Sequence, residues 1–169
     1  MKRDLAYDFL IDIPTKTIKI KKEFAADPSL VWQAWTSSDW LDQWWGPKPW
    51  HVETKTLDFI PNSIWLYAMV GPEAEKHWAL SQYIEINEGH SFSHKDGFCD
   101  EDGIINQDMP QSTWNVTFTP ADKHTVVDCI ITYDSKEAIE GVLEMGFQEG
   151  ISMCLKQLDE LFERTSLNT

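Results

Sequence analysis

Phe147-Gln148-Glu149-Gly150-Ile151-Ser152-Met153-Cys154-Leu155-Lys156-Gln157-Leu158-Asp159-Glu160-Leu161-Phe162 decides the fold of this chain. Phe147, Ile151, Cys154, Leu155, Leu158 and Phe162 recur at helical spacing, opposite Gln148, Glu149, Lys156, Gln157, Asp159 and Glu160. That pattern is one long amphipathic helix with a single apolar stripe. The regular segments before it read as strands or short helices. An antiparallel sheet with one apolar face must bury it, and this helix is the only element long enough to do so.

Working backwards, Val127, Cys129, Ile131 and Tyr133 alternate along a strand at 125–133, and Trp114, Val116 and Phe118 along another at 112–119. Between 95 and 111 the chain carries Asp96-Gly97, Asp100, Asp102-Gly103 and Met109-Pro110, which reads as a long acidic loop. Strands are expected at 50–57, 64–70 and 77–86, with a short one at 91–94. The strand at 64–70 is apolar on both faces, Trp65, Tyr67 and Met69 on one and Ile64, Leu66, Ala68 and Val70 on the other. The second face calls for a homodimer surface or for a cover from the N-terminal segment.

The first strand is expected at 15–24, where Ile18, Ile20 and Phe24 share a face that Lys22 interrupts. Asp27-Pro28 then announces a helix, with Asp27 as cap and Pro28 in the first turn. A second short helix runs through Trp44 and stops at Gly46-Pro47. The domain organisation is an N-terminal arm at 1–14, one domain at 15–165 and a tail at 166–169. The arm lacks periodicity, although Phe9, Leu10, Ile11 and Ile13 could dock as an extra edge segment.

At 169 residues and 42% hydrophobic content the chain suffices for one packed core. A formal net charge of −14 repels phosphate backbones and anionic lipid heads, so no nucleic acid and no membrane partner is expected. A solvated acidic surface is the plain meaning of that charge, and a basic protein or a cationic ligand the sharper one. Cys99, Cys129 and Cys154 form no CxxC pair, which fits a reducing compartment. No signal-peptide pattern or membrane-length apolar run is present, so the expected location is cytoplasmic.

Chemical motifs are sparse. Asp100, Asp102 and Gly103 would match the middle of a calcium loop, but its first and last ligands would be Phe98 and Met109, which cannot bind calcium. His90 and His94 on a strand lie roughly 13 Å apart, too far for one ion. No metal and no cofactor is therefore expected, and no catalytic residue is assigned. Asp58 and Glu85, beside apolar runs, could serve as acid or base in a dry pocket, with capping or a cross-strand hydrogen bond as the plainer role. Trp32, Trp35, Trp40, Trp44, Trp45 and Trp50 crowd nineteen residues. They read as anchors for two short helices, or as a wall for an apolar ligand.

The run from Phe24 to Thr36, Phe-Ala-Ala-Asp-Pro-Ser-Leu-Val-Trp-Gln-Ala-Trp-Thr, followed by Trp44-Trp45-Gly46-Pro47, resembles the opening of AHSA-type domains. These are homologues of the activator of heat-shock protein ATPase, within the START-like (SRPBCC) superfamily. Asp58, Pro61, Trp65, the run from Tyr83 to Ile86, and Gly146-Phe147 extend the resemblance over about residues 16–163. It implies an α+β helix-grip fold: a curved antiparallel sheet wrapped around a long C-terminal helix, with two short helices after the first strand and a deep cavity between. Superfamily relatives bind lipids, sterols or polyketides, or cyclise them. Where the family's hairpin carries an Arg and a Gly-Gly pair, this chain has Ile60, Asn62 and Ser63, and Asn62 can still supply a positive φ.

Three functions are thus expected, in order. The first is a binding domain for a small apolar or lipid-like ligand, its cavity walled by Trp45, Trp65, Tyr67, Met69, Trp78, Trp114, Phe147 and Ile151. The second is a cyclase- or hydrolase-type enzyme using an acid–base pair in that cavity. The third is a chaperone ATPase-activating interaction protein. It ranks last because the eukaryotic co-chaperones use a separate N-terminal domain where this chain has only its arm.

Overall fold

In the computed structural model, which describes residues 5–167, one eight-stranded antiparallel sheet curves around the last helix. The order of elements is β1 (Tyr7–Asp12), β2 (Thr17–Phe24), α1 (Pro28–Thr36), α2 (Ser38–Trp44), β3 (His51–Leu57) and β4 (Ile64–Val70). Then come β5 (Lys76–Asn87), β6 (Ser91–Cys99), β7 (Ser112–Ala121), β8 (His124–Tyr133), α3 (Lys136–Glu144) and α4 (Phe147–Leu167). The strands lie in the order β1-β2-β8-β7-β6-β5-β4-β3.

The register sorts the inner face into rows. Phe9, Ile20, Cys129, Val116 and Phe92 line up across five strands, and Ile18, Ile131, Trp114, His94 and Tyr83 form the next row. A third row runs Tyr133, Ser112, Asp96, Ser81 and Trp65, and is the polar one. The apolar rows pack against Ile151, Cys154, Leu155, Leu158 and Phe162 of α4, all buried.

α1 begins where Asp27 accepts the Leu30 N–H at 2.9 Å, and Pro28 occupies the first turn. That backbone bond, with a second from the Ser29 hydroxyl, holds the Asp27 carboxyl below its usual range. Trp32 and Trp35 of α1 meet Phe118 edge-on, and Trp44 of α2 donates its indole N–H to the Ala34 carbonyl at 2.9 Å. Half of the tryptophan cluster, Trp32, Trp35 and Trp44, is therefore buried core, and Trp40 and Trp45 pack against it half-buried.

Two polar residues on the supposed outer face of α4 turn inward. Gln157 is buried; its amide N–H groups donate to the carbonyls of Trp44 (3.1 Å) and Gly46 (2.9 Å), and its oxygen accepts the Lys48 N–H (2.9 Å). One side chain thus satisfies three backbone groups of the segment that follows α2. Gly46 belongs there because a Cβ on it would stand 2.8 Å from His51 Cα. Asp159 pairs with buried Lys22 at 3.0 Å, and Lys22 also donates to the Glu23 carbonyl. Burial outweighs the attraction of Lys22 and holds the Asp159 carboxyl above its usual range.

Four segments bear on the expectation. First, residues 7–12 of the expected arm pair with β2, the edge segment that Phe9, Leu10 and Ile11 allowed, while 1–4, and 168–169 of the expected tail, lie outside the described residues. Second, β6 runs through Asp96-Gly97 to Cys99, shortening the acidic loop to 100–111. Gly97 sits mid-strand because Ile105 of that loop packs over it; a Cβ there would stand 3.0 Å from Ile105 Cδ1. Third, the outer face of β4 is covered by this loop, with Gly103 against Leu66 and Leu80, while β1 lies at the opposite edge. Fourth, α3 fills 136–144, where no element was expected; Ser135 caps it and Ile139 is its buried anchor. Asn62 does take a positive φ, 72°.

Replacing Gln157 by Leu strands those three backbone groups and should cost about 2–4 kcal/mol in urea denaturation. Lys22→Met, which leaves Asp159 unpaired, should cost about 3–5 kcal/mol, and adding Asp159→Leu should recover most of that loss. Equal losses in the single and double variants would contradict the pairing.

Candidate functional site

α4 covers the sheet unevenly. Where the polar row crosses, the helix and sheet stand apart and leave a cavity of about 240 Å³. Its sheet side is formed by Tyr133, Ser112 and Asp96 of the polar row, then Phe98, Ala79, Tyr67 and Met69. Trp45 and Trp114 line it, as do Val142 of α3 and Phe147, Ile151 and Cys154 of α4. Pro47 packs on Gly150 and Pro110 on Gly141, so both flanking loops reach the helices at glycines. The volume lies just below the range of ligand sites, which run from roughly 300 Å³ upward.

Of the residues expected to wall such a cavity, the structure brings together Trp45, Tyr67, Met69, Trp114, Phe147 and Ile151. Trp65 faces the same side but lies behind the wall, stacked on Tyr67 with centroids 4.1 Å apart. Trp78 is on the outer face, where Lys55 and Lys76 lie over its ring at 5.8 and 5.9 Å. Strand parity places it there: Ala79, Ser81 and Tyr83 take the inner face, and the irregularity in β5 comes only between Tyr83 and Ile86.

The charged group of the site is Asp96, which the sequence pattern had put in the acidic loop at 95–111. Its Oδ1 accepts the Ser81 hydroxyl at 2.8 Å and is in contact with His94 Nδ1. The His94 ring is buried, stacked between Phe92 and Trp114 with centroids 5.8 Å from each. Burial, and then the charge of Asp96, push the Tyr67 and Tyr133 phenols well above their usual range. Both therefore remain protonated donors; Tyr67 also accepts the Trp45 indole N–H at 3.1 Å. Cys154 Sγ donates to the Trp45 carbonyl at 3.1 Å, and burial pushes its thiol up to about 12.

The other acid–base candidates stay outside. Asp58 is exposed and accepts the Ser63 hydroxyl at 3.4 Å; Glu85 and His77 are exposed as well, His77 beside Trp50. Asp100, the calcium-loop candidate, spends its Oδ1 on the N–H groups of Asp102 and Ile104. The alternation His94, Asp96, Phe98 was the available signal for Asp96, since residues two apart on a strand share a face. The Asp-Gly pair masked it.

A single curved sheet closed by one long helix defines a helix-grip domain. Residues 25–163 match the family described as Activator of Hsp90 ATPase homolog 1-like protein, and the chain belongs to that family. The crystal structure of protein Ms6760 from Mycobacterium smegmatis is 37% identical, with a TM-score of 0.84 over 94% of this chain and 96% of that one. A solution structure of a protein from Arthrobacter aurescens is 28% identical, with a TM-score of 0.88 over 93% and 91%. CalU16 from Micromonospora echinospora, at 15% identity and a TM-score of 0.61 over 94% and 75%, shares the fold. Among curated proteins none matched. Among the described residues no helix is long and apolar enough to cross a membrane.

Burial also pushes the Cys99 thiol up to about 11, ahead of a smaller contribution from Asp100. Since only thiolate reacts, iodoacetamide labelling of native protein should be slow near pH 8 and rise about tenfold per pH unit towards the Cys99 value. Cys154 should react later than Cys99. Rapid modification of Cys154 near pH 8, followed by peptide mass spectrometry, would show that the cavity opens to solvent.

Proposed function

We propose that this chain is a binding module whose cavity takes a small molecule with a largely apolar body. One observation carries the reading: the interior of the helix–sheet sandwich is not filled where Trp45, Trp114, Phe147 and Ile151 converge. Protein interiors are normally close-packed, and a gap of this size forfeits contact energy unless something occupies it. Apolar walls with a few fixed polar groups are the composition of small-molecule sites. The size favours a compact ligand over a long acyl chain. Three free thiols fit a reducing compartment, and we place this role in the cytoplasm.

An acid–base enzyme is the second reading, favoured by Asp96 in the cavity lining with His94 behind it. Its mark would be turnover of a bound ligand, abolished by Asp96→Asn without loss of binding. The family name brings in a chaperone partner as a third reading, and a chaperone ATPase assay decides it.

Backbone-amide NMR titration with a panel of small neutral aromatics and terpenoids tests the binding role. Shifts should concentrate at Tyr67, Asp96, Trp114 and the first turns of α4. Val142→Phe, which projects a ring into the space, should weaken binding at least about tenfold while leaving thermal stability equal or higher. Saturable binding elsewhere on the surface, untouched by Val142→Phe, would contradict the assignment.

A further inference from the structure

Asp96 is the one formally charged side chain in the cavity lining among the described residues. A carboxylate beside apolar walls is costly unless partners compensate it. Its two polar contacts, the Ser81 hydroxyl and His94 Nδ1, both fall on Oδ1. Among the described residues neither a hydrogen bond nor an ion pair falls on Oδ2. The Ser81 hydroxyl holds Oδ1, and the His94 ring in contact with it is packed against Phe92 and Trp114.

Six aromatic residues line the same cavity as this carboxylate: Trp45, Tyr67, Phe98, Trp114, Tyr133 and Phe147. Trp45 and Trp114 approach to 5.7 Å between centroids, and Trp114 and Phe147 to 6.2 Å. Ring faces attract cations, and a carboxylate partly shielded from water makes its strongest hydrogen bonds to charged donors. An anion would be repelled by Asp96, and a neutral hydroxyl would gain a hydrogen bond without the charge. The net charge of −14 further enriches cations near the surface.

Resting on the binding role above, we infer that the cavity selects a small organic cation. The class is a protonated amine on a compact aromatic or aliphatic body, its ammonium at Asp96 and its body against Trp114 and Phe147.

The test compares 2-phenylethylamine, 2-phenylethanol and phenylacetate, near-isosteric probes of three charges, by calorimetry at neutral pH on wild-type and Asp96→Asn protein. The wild type should bind the amine at least about tenfold more tightly than the alcohol, and phenylacetate least. In Asp96→Asn, which keeps the side-chain shape, the amine should fall to the affinity of the alcohol. Equal affinities for amine and alcohol in the wild type would overturn the inference and leave the binding role standing. An amine advantage that survives Asp96→Asn would overturn it too. If no probe binds, the cation inference falls, and the neutral panel decides the binding role separately. Should Asp96→Asn fail to fold, the wild-type comparison of amine with alcohol still decides.

Discussion

The concave face of an eight-stranded sheet has to be covered, and one 21-residue helix must do most of the covering. Such a helix is only about 30 Å long. The rest of the architecture answers that shortfall. Towards one end, α1 and α2 bring Trp32, Trp35 and Trp44 into the space beside α4, where they interlock edge-to-face with Phe24, Phe118 and each other. Gln157 ties the end of α2 and the segment after it to α4 through three hydrogen bonds to backbone groups, which joins the aromatic plug to the helix. Where the plug ends, the cavity begins, with Trp45 as the boundary between them.

The polar character of the cavity follows from strand register. Tyr133, Ser112, Asp96 and Ser81 occupy consecutive strands at one level, so their polar groups share a band across an otherwise apolar face. At Tyr133, Ser112 and Asp96 that band lines the cavity. A helix packed directly over Asp96 would bury a carboxylate against apolar side chains, at a cost of several kcal/mol. The gap and the carboxylate thus belong together, and both suit an occupant that brings its own polar end.

Much of the fold could be read from periodicity. The strong alternations in β2, β7 and β8, the continuous apolar run of β4 and the apolar stripe of α4 define the layers, and the Asp27-Pro28 cap marks α1. What escaped were residues whose tertiary role contradicts their local chemistry. Gln157 and Asp159 have the polarity of a solvent-facing stripe, yet each is held inward by a partner more than a hundred positions away. Asp96-Gly97 has turn composition, yet it lies mid-strand because the loop's Ile105 needs the room a glycine leaves. For the cavity, inward parity pointed to Tyr67, Met69 and Trp114, while Trp78 lies on the outer face. The aspartate at the centre could have been found only by letting the strand run past an Asp-Gly pair.

The central claim is that the space between Trp114, Phe147 and Ile151 is a ligand site. Its most direct measurement is an anomalous difference map from a crystal soaked in 4-bromobenzyl alcohol, whose bromine marks position without relying on charge. The account predicts one dominant bromine peak inside this cavity, with the Trp45 and Phe147 rings in place around it. A cavity closed by rotation of Phe147 or Trp45, with bromine only on the outer surface, would contradict it.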